Sequence, residues 1–186
     1  MRVYLRKPER ADAREFVRAS KASVEMHRPW VFPPLSDRGF EDYLNRIQNS
    51  RHAGYFVCRK SDDALVGVVN LSEIVRGALQ GAFVGYWGVD GMCGKGLMTE
   101  GLALAVDEAF EGLGLHRLEI NIQPANTRSI ALVDRLGFRK EGFSPKYLQI
   151  NGVWCDHERW AVTKEEWPGA KGIVATLPSN HSSPSK

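Results

Sequence analysis

The 186 residues, 43% of them hydrophobic, suffice to bury one substantial core and fall short of two full domains. With 25 Lys+Arg against 22 Asp+Glu the formal charge is only +3 and the basic residues are scattered, which argues against a dedicated nucleic-acid binder. The 3 cysteines, Cys58, Cys93 and Cys155, form no CxxC pair and indicate neither a disulfide framework nor a zinc site.

The amino terminus, Met1-Arg2-Val3-Tyr4-Leu5-Arg6-Lys7, lacks the apolar run of a signal peptide. No stretch approaches the ~18 apolar residues of a membrane span, so a cytoplasmic protein without a membrane partner is expected. In chain order, a short strand is expected at Val3 to Leu5, then a polar turn and a helix carrying Ala13, Phe16, Val17 and Ala19-Ser20. The prolines of His27-Arg28-Pro29-Trp30-Val31-Phe32-Pro33-Pro34 forbid a continuing helix, and its large aromatics suggest a structured loop. Ser36 is placed to cap the next helix, on which Phe40, Tyr43, Leu44 and Ile47 recur at helical spacing.

Gly54 to Cys58, Leu65 to Leu71 and Ala82 to Trp87 read as an antiparallel meander with its first hairpin at Asp62-Asp63 and a longer connection at Arg76 to Gly81. After a glycine-rich turn, a helix with Leu102, Val106, Ala109, Phe110 and Leu113 on one stripe ends at Gly112-Leu113-Gly114. The strand Arg117 to Ile122 alternates Leu118, Ile120 and Ile122 with Glu119, Asn121 and Gln123, giving an apolar and a polar face. Asn126 caps a short helix through Leu136, Gly137 supplies its left-handed exit, and further strands run through Phe143 and from Val153 to Val162. The domain is expected to span 1–167, with 168–186, rich in Gly, Ser and Pro, as a flexible tail.

The stretch with most chemistry is Val84-Gly85-Tyr86-Trp87-Gly88-Val89-Asp90-Gly91-Met92-Cys93-Gly94-Lys95-Gly96-Leu97-Met98-Thr99-Glu100, a strand, a glycine-dense turn and a helix start. Glycines let several backbone N–H groups converge on one anion, and the helix adds the positive end of its dipole, so a diphosphate fits there, with Lys95 and Thr99 as reinforcement. The pattern is neither GxxxxGK[ST] nor GxGxxG, which sets aside the triphosphate and dinucleotide fingerprints. A plain strand-to-helix turn would also use glycine.

The run from Gly94 to Leu102, followed by Asn126-x-x-Ser129 and Leu136-Gly137-Phe138, resembles motif A and its sequel in GNAT acetyltransferases. Within that superfamily Arg28-Pro29-Trp30, Val75-Arg76-Gly77, His116-Arg117, Lys140-Glu141-Gly142 and Asp156-His157 resemble the RimJ-type ribosomal-protein alanine acetyltransferases. Gly91 stands where the superfamily often has Gln or Arg, which removes a side-chain contribution there. The resemblance implies an α/β GNAT fold, a mixed central β-sheet of about seven strands flanked by about four helices. It also implies acetyl-CoA as cosubstrate, direct transfer to an amine, and a protein N-terminus, an alanine-starting ribosomal protein, as acceptor. Association with the ribosome, and a monomer or homodimer, belong to the same expectation.

By that resemblance, backbone groups around Trp87 and Val89 line the pantetheine arm, Met92, Gly94, Lys95, Gly96 and Leu97 hold the pyrophosphate, and Asn126 contacts the cofactor arm. Ser129 becomes the donor to the leaving thiolate, although it stands equally well beside a capping asparagine. Glu119, with Glu73 second, is the candidate base or a solvated strand carboxylate. Tyr147 is a second candidate donor, or a tyrosine with a satisfied hydroxyl. Trp30 and Phe32 line an acceptor cleft or anchor the core. Cys93 falls near the pyrophosphate and reads as filler, and Asp156 and His157, adjacent in a strand, point to opposite faces and form no dyad. The alternatives are a small-amine or antibiotic acetyltransferase and a ribosome-associated factor of the same fold.

Overall fold

A computed structural model describes residues 1–176. Its strands are β1 (Val3–Arg6), β2 (Ala53–Arg59), β3 (Leu65–Val75), β4 (Gly81–Gly88), β5 (Arg117–Ile122), β6 (Arg139–Ile150) and β7 (Val153–Thr163). Its helices are α1 (Ala13–Ala22), α2 (Val24–His27), α3 (Asp37–Ile47), α4 (Leu97–Asp107), α5 (Thr127–Arg135) and α6 (Ala170–Thr176). The 7 strands form one sheet in the order β1-β2-β3-β4-β5-β7-β6. Every neighbouring pair is antiparallel except β4 and β5, which run parallel. This is the mixed α/β fold expected, with α2 and α6 added to the helices foreseen.

Period-two alternation sends each strand's side chains to two faces, and both are covered. On one, Val57, Val66, Val69, Leu71 and Val84 pack with Leu118, Ile120 and Ile122 beneath α4, α5 and α6. On the other, Phe56, Val68 and Trp87 meet Phe16, Phe40 and Tyr43 of α1 and α3. Phe16 is the hub there, its ring centroid 4.6 Å from Phe40, 5.6 Å from Tyr43, 5.9 Å from Phe56 and 5.4 Å from Trp87.

Local signals behave as their chemistry requires. Ser36 Oγ accepts from Gly39 N at 3.2 Å and so caps α3, and Asp63 turns the first hairpin with φ 56°. The helix α4 lacks the narrow stripe expected of it, because Leu97, Thr99, Glu100, Gly101, Leu102, Ala103, Ala105 and Val106 are all buried between the sheet, β1 and α6. A π-helical segment, Glu108–Gly112, prolongs it before Gly114 exits at φ 63°.

The expected boundary at Trp167 is too early. The Asp107 carboxylate accepts from Trp167 Nε1 at 2.6 Å and from Ala170 N at 2.9 Å, and Ala170 and Ile173 of α6 are buried against the α4 core. The apolar positions 167, 170 and 173 are spaced as a helix face, a pattern hidden by the Gly, Ser and Pro content of the whole segment. The remainder of the expected tail, 177–186, lies outside the described residues. Among those described, no helix is long and apolar enough to cross a membrane.

Candidate active site

The sheet is broken in its middle. The strands β4 and β5 pair only through Gly81↔Arg117, Ala82↔Leu118 and Phe83↔Glu119, and then diverge. From Val84 to Gly88, β4 therefore has no strand partner on its β5 side among the described residues, leaving a row of backbone groups at the edge of a notch where a ligand can complete them. Cross-strand partners share a face, so Phe83, Gly85 and Trp87, with Glu119 and Asn121, look toward α1 and α3. Val84 and Tyr86, with Leu118, Ile120 and Ile122, look toward α4 and α5.

The glycine loop closes one end of the notch. Gly91, Gly94 and Gly96 stand at φ 78°, 74° and 74°, left-handed angles that turn successive N–H groups toward one side. A Cβ on Gly91 or Gly94 would meet nothing within 4 Å, so the loop's outer surface is open. Among the described residues, the N–H groups of Gly94, Lys95 and Gly96 donate to no backbone carbonyl. Together with the N-terminus of α4 they form a nest for an anion. The paired glycines Gly67 and Gly88 let α4 approach: a Cβ on Gly67 would lie 2.4 Å from Met98 Sδ and 2.4 Å from the Trp87 carbonyl.

The expected cofactor residues divide by position. Lys95 lies on the open side and donates from Nζ to Gly91 O at 2.7 Å, bracing the loop. Leu97 and Thr99 are both buried in the first turn of α4. Trp87 is buried against Phe16 and His27 and offers the notch only its backbone. Val89 is less available than expected, for its N–H donates to Val66 O at 2.8 Å and its carbonyl accepts from Met92 N at 3.1 Å, engaging Met92 as well. Cys93 sits in the loop beside Met26 Sδ at 3.4 Å, and burial raises its thiol pKa.

Across the notch, Asn126 Oδ1 accepts from Ser129 N at 3.2 Å, the cap expected for α5. Ser129 Oγ is hydrogen-bonded to Tyr86 Oη, a pairing of hydroxyls from α5 and β4 inside the notch. Burial pushes the Tyr86 phenol up to about 12, so it stays protonated and able to donate. Tyr86 escaped the sequence reading because a tyrosine in a strand looks like ordinary β filler. Its place in the alternation, two residues after buried Val84, was the available signal.

Glu119 is not a free carboxylate. Its Oε1 accepts from Arg117 Nε at 2.8 Å, and Arg117 also pairs with Glu141, which in turn pairs with Arg139. The two guanidiniums beside Glu141 hold its carboxyl down at about 2. Glu73, in the left-handed region at φ 50°, is paired with Arg51 at the irregularity of β3. Tyr147, on β6, stands edge-on to buried His157 of β7 with ring centroids 6.3 Å apart. Asp156 accepts from Lys146 N at 2.7 Å and His157 Nδ1 meets Cys155 O at 2.9 Å, so the two neighbours have separate partners. Phe32 is 45% exposed, and of its loop it is Val31 that packs on the α1–α3 core.

On the α1–α3 side a cleft of about 160 Å³ opens onto β4, lined by Arg46, Ile47, His52, Asn70, Leu71, Ser72 and Gly85. Tyr43 Oη donates to Asn70 Oδ1 at 2.9 Å at its base. Nearby on this face, Asn121 Oδ1 is buried with no hydrogen-bond partner among the described residues. At the loop end, His27 Nε2 donates to Gly88 O at 2.8 Å, and burial lowers its pKa so that it stays neutral. A larger cleft of about 610 Å³ lies between β1 and the end of α4; of the two, only the smaller one touches the unpaired stretch of β4, at Gly85. Among the described residues no cluster of His, Cys, Asp or Glu could hold a metal.

Residues 2–139 match a family described as Acetyltransferase (GNAT) domain. A probable N-acetyltransferase of Bacillus subtilis, YjcK, is 43% identical over 121 residues, 65% of this chain and 67% of its own. The ribosomal protein uS5 alanine N-acetyltransferase of Escherichia coli is 38% identical over 128 residues, 68% of this chain and 66% of its own. In three dimensions, RimJ of Mycobacterium smegmatis in complex with CoA-disulfide superposes with a TM-score of 0.85 at 29% identity, covering 93% of this chain and 88% of that one.

Proposed function

The chain belongs to the GNAT family of acetyl-CoA-dependent N-acetyltransferases, and from that premise we propose that its acceptor is the amino terminus of a protein, an alanine-starting ribosomal protein. The observation that carries the choice of acceptor is the cleft beside Gly85. Its charged or titratable side chains are Arg46 and His52, with no carboxylate, so a polyamine would find no counter-charge there. A chain terminus needs none, because its amine is partly neutral at pH 7 and brings no second cationic centre with it.

The absence of a free base at Glu119 fits the same acceptor. An amino terminus has pKa ~8 and a lysine ~10.4, so at neutral pH the reactive form differs by roughly two orders of magnitude. A weak base, or water relayed to a carboxylate, suffices for the first, and the second demands a stronger base. In this reading the loop 91–96 and the start of α4 hold the diphosphate, and the exposed backbone of β4 aligns the pantetheine arm. The amine enters from the α1–α3 side and attacks the thioester carbonyl; the C–N bond forms, the C–S bond breaks, and the coenzyme A thiolate leaves. Ser129, backed by Tyr86 on the α5 side, donates a hydrogen bond to that thiolate. Holding both reactants in one notch supplies the rest.

The test is thiol release from acetyl-CoA with an alanine-starting peptide, the same peptide with its terminus blocked, and spermidine. Release with the free terminus alone supports the reading, whereas release with spermidine and not with the peptide overturns it.

A further inference from the structure

We propose that Arg2 is a phosphate-binding arm of the acetyl-CoA site, held in place by Glu100. The inference rests on acetyl-CoA as donor and not on the identity of the acceptor. Glu100 is buried in the first turn of α4, 3% exposed, directly beneath the anion nest. A carboxylate there benefits from the helix dipole, but left bare it would repel a diphosphate bound at the same helix end.

Arg2 removes that conflict. Its backbone N donates to Glu100 Oε2 at 2.5 Å and its Nε to Oε1 at 2.6 Å, so the carboxylate is fully engaged from one side. The remaining guanidinium nitrogens, Nη1 and Nη2, have no hydrogen-bond partner among the described residues, and the side chain is 56% exposed. Their direction is given by Gly96, the N-cap of α4 at φ 74°, where a Cβ would stand 3.2 Å from Arg2 Nη2. The free edge of a cation therefore lies against the loop residue whose N–H belongs to the nest. A guanidinium fork fixed on one edge by a carboxylate and open on the other is pre-organised for a phosphate. Backbone donors alone do not provide that charge, and Lys95 spends its ammonium on Gly91 O.

The chemistry recognised is a phosphate of the nucleotide end of coenzyme A, either the diphosphate or the ribose 3′-phosphate. Binding of CoA, dephospho-CoA and acetyl-pantetheine is measured calorimetrically to the full chain and to Arg2→Met, Arg2→Lys and Glu100→Gln. Arg2→Met is expected to weaken CoA about tenfold, with a shallower salt dependence, and to leave acetyl-pantetheine unchanged. Glu100→Gln, which weakens the anchor of the guanidinium, is expected to weaken CoA severalfold and to lower the melting temperature, again leaving acetyl-pantetheine unchanged. Arg2→Lys keeps the charge but not the two-edged fork and is expected to fall between wild type and Arg2→Met. A tenfold loss that persists with dephospho-CoA places Arg2 on the diphosphate; a loss confined to CoA places it on the 3′-phosphate. Equal weakening of acetyl-pantetheine by Arg2→Met or by Glu100→Gln would mean that the pair only ties β1 to α4 and would overturn the proposal. Unchanged CoA affinity in Arg2→Met would do the same.

Discussion

Gly85→Val should make the protein more stable and the enzyme worse. Gly85 is exposed in the middle of a seven-stranded sheet, opposite Asn70, and a Cβ built on it meets nothing within 4 Å. Its neighbours differ sharply: a Cβ on Gly67 would stand 2.4 Å from the Trp87 carbonyl, and one on Gly101 2.4 Å from Val57 Cγ1. Replacing a strand glycine by valine gains up to about 1 kcal/mol of strand preference and reduces the freedom of the unfolded chain by a similar amount. For a domain of this size that raises the melting temperature by roughly 2–4 °C per kcal/mol. The valine would nevertheless stand in the cleft through which the acceptor is proposed to reach the notch. The expected kinetics are an acceptor KM raised at least about tenfold, equivalent to about 1.4 kcal/mol, with the KM for acetyl-CoA within about twofold. Thermal unfolding followed by circular dichroism and initial rates of thiol release read the two halves separately. A stabilised variant with wild-type acceptor kinetics would refute the route through the cleft, and a destabilised one would refute the open space at Gly85.

Three further outcomes follow from the same structure. Ser129→Ala is expected to lower kcat about tenfold or more while leaving CoA affinity intact, and Tyr86→Phe, which removes one hydrogen bond of about 1 kcal/mol, to lower it about fivefold with a less than additive double variant; additive losses would separate the two hydroxyls. Asp107→Ala strands the Trp167 indole N–H and the Ala170 amide, so unfolding should cost about 1–3 kcal/mol less, and an unchanged melting temperature would detach α6 from the fold. Glu141 is held at about 2 against an ordinary 4.5, a depressed carboxyl whose stabilisation is present above pH 4.5 and lost as the pH falls toward 2. Glu141→Gln should therefore melt lower than wild type at neutral pH and converge with it near pH 2, a difference kept small by solvent screening.

What the sequence disclosed was local. The Ser36 and Asn126 caps, the glycine loop and the alternation of β5 depend on residues a few positions apart, and each appears where expected. The notch is not local: it arises because β4 and β5, joined through α4, pair for three rungs and part, which no spacing rule announces. Tyr86 meets Ser129 across that gap at a separation of 43 residues, and Arg2 meets Glu100 across 98. Glu119 misled for the complementary reason. Alternation placed it on the polar face, but its neighbour Arg117 two residues back neutralises it, an ion pair that a search for free carboxylates passes over. Burial of α6 was masked by composition, since two apolar residues and one acceptor carboxylate on α4 suffice to hold it.

The most direct test of the account is where the acetyl group goes. A peptide with an alanine terminus and one internal lysine is incubated with enzyme and acetyl-CoA, and the product is sequenced by tandem mass spectrometry. The account predicts acetylation of the alanine nitrogen alone. Acetyl on the lysine side chain, or an unmodified peptide beside an acetylated polyamine in the same mixture, would contradict it.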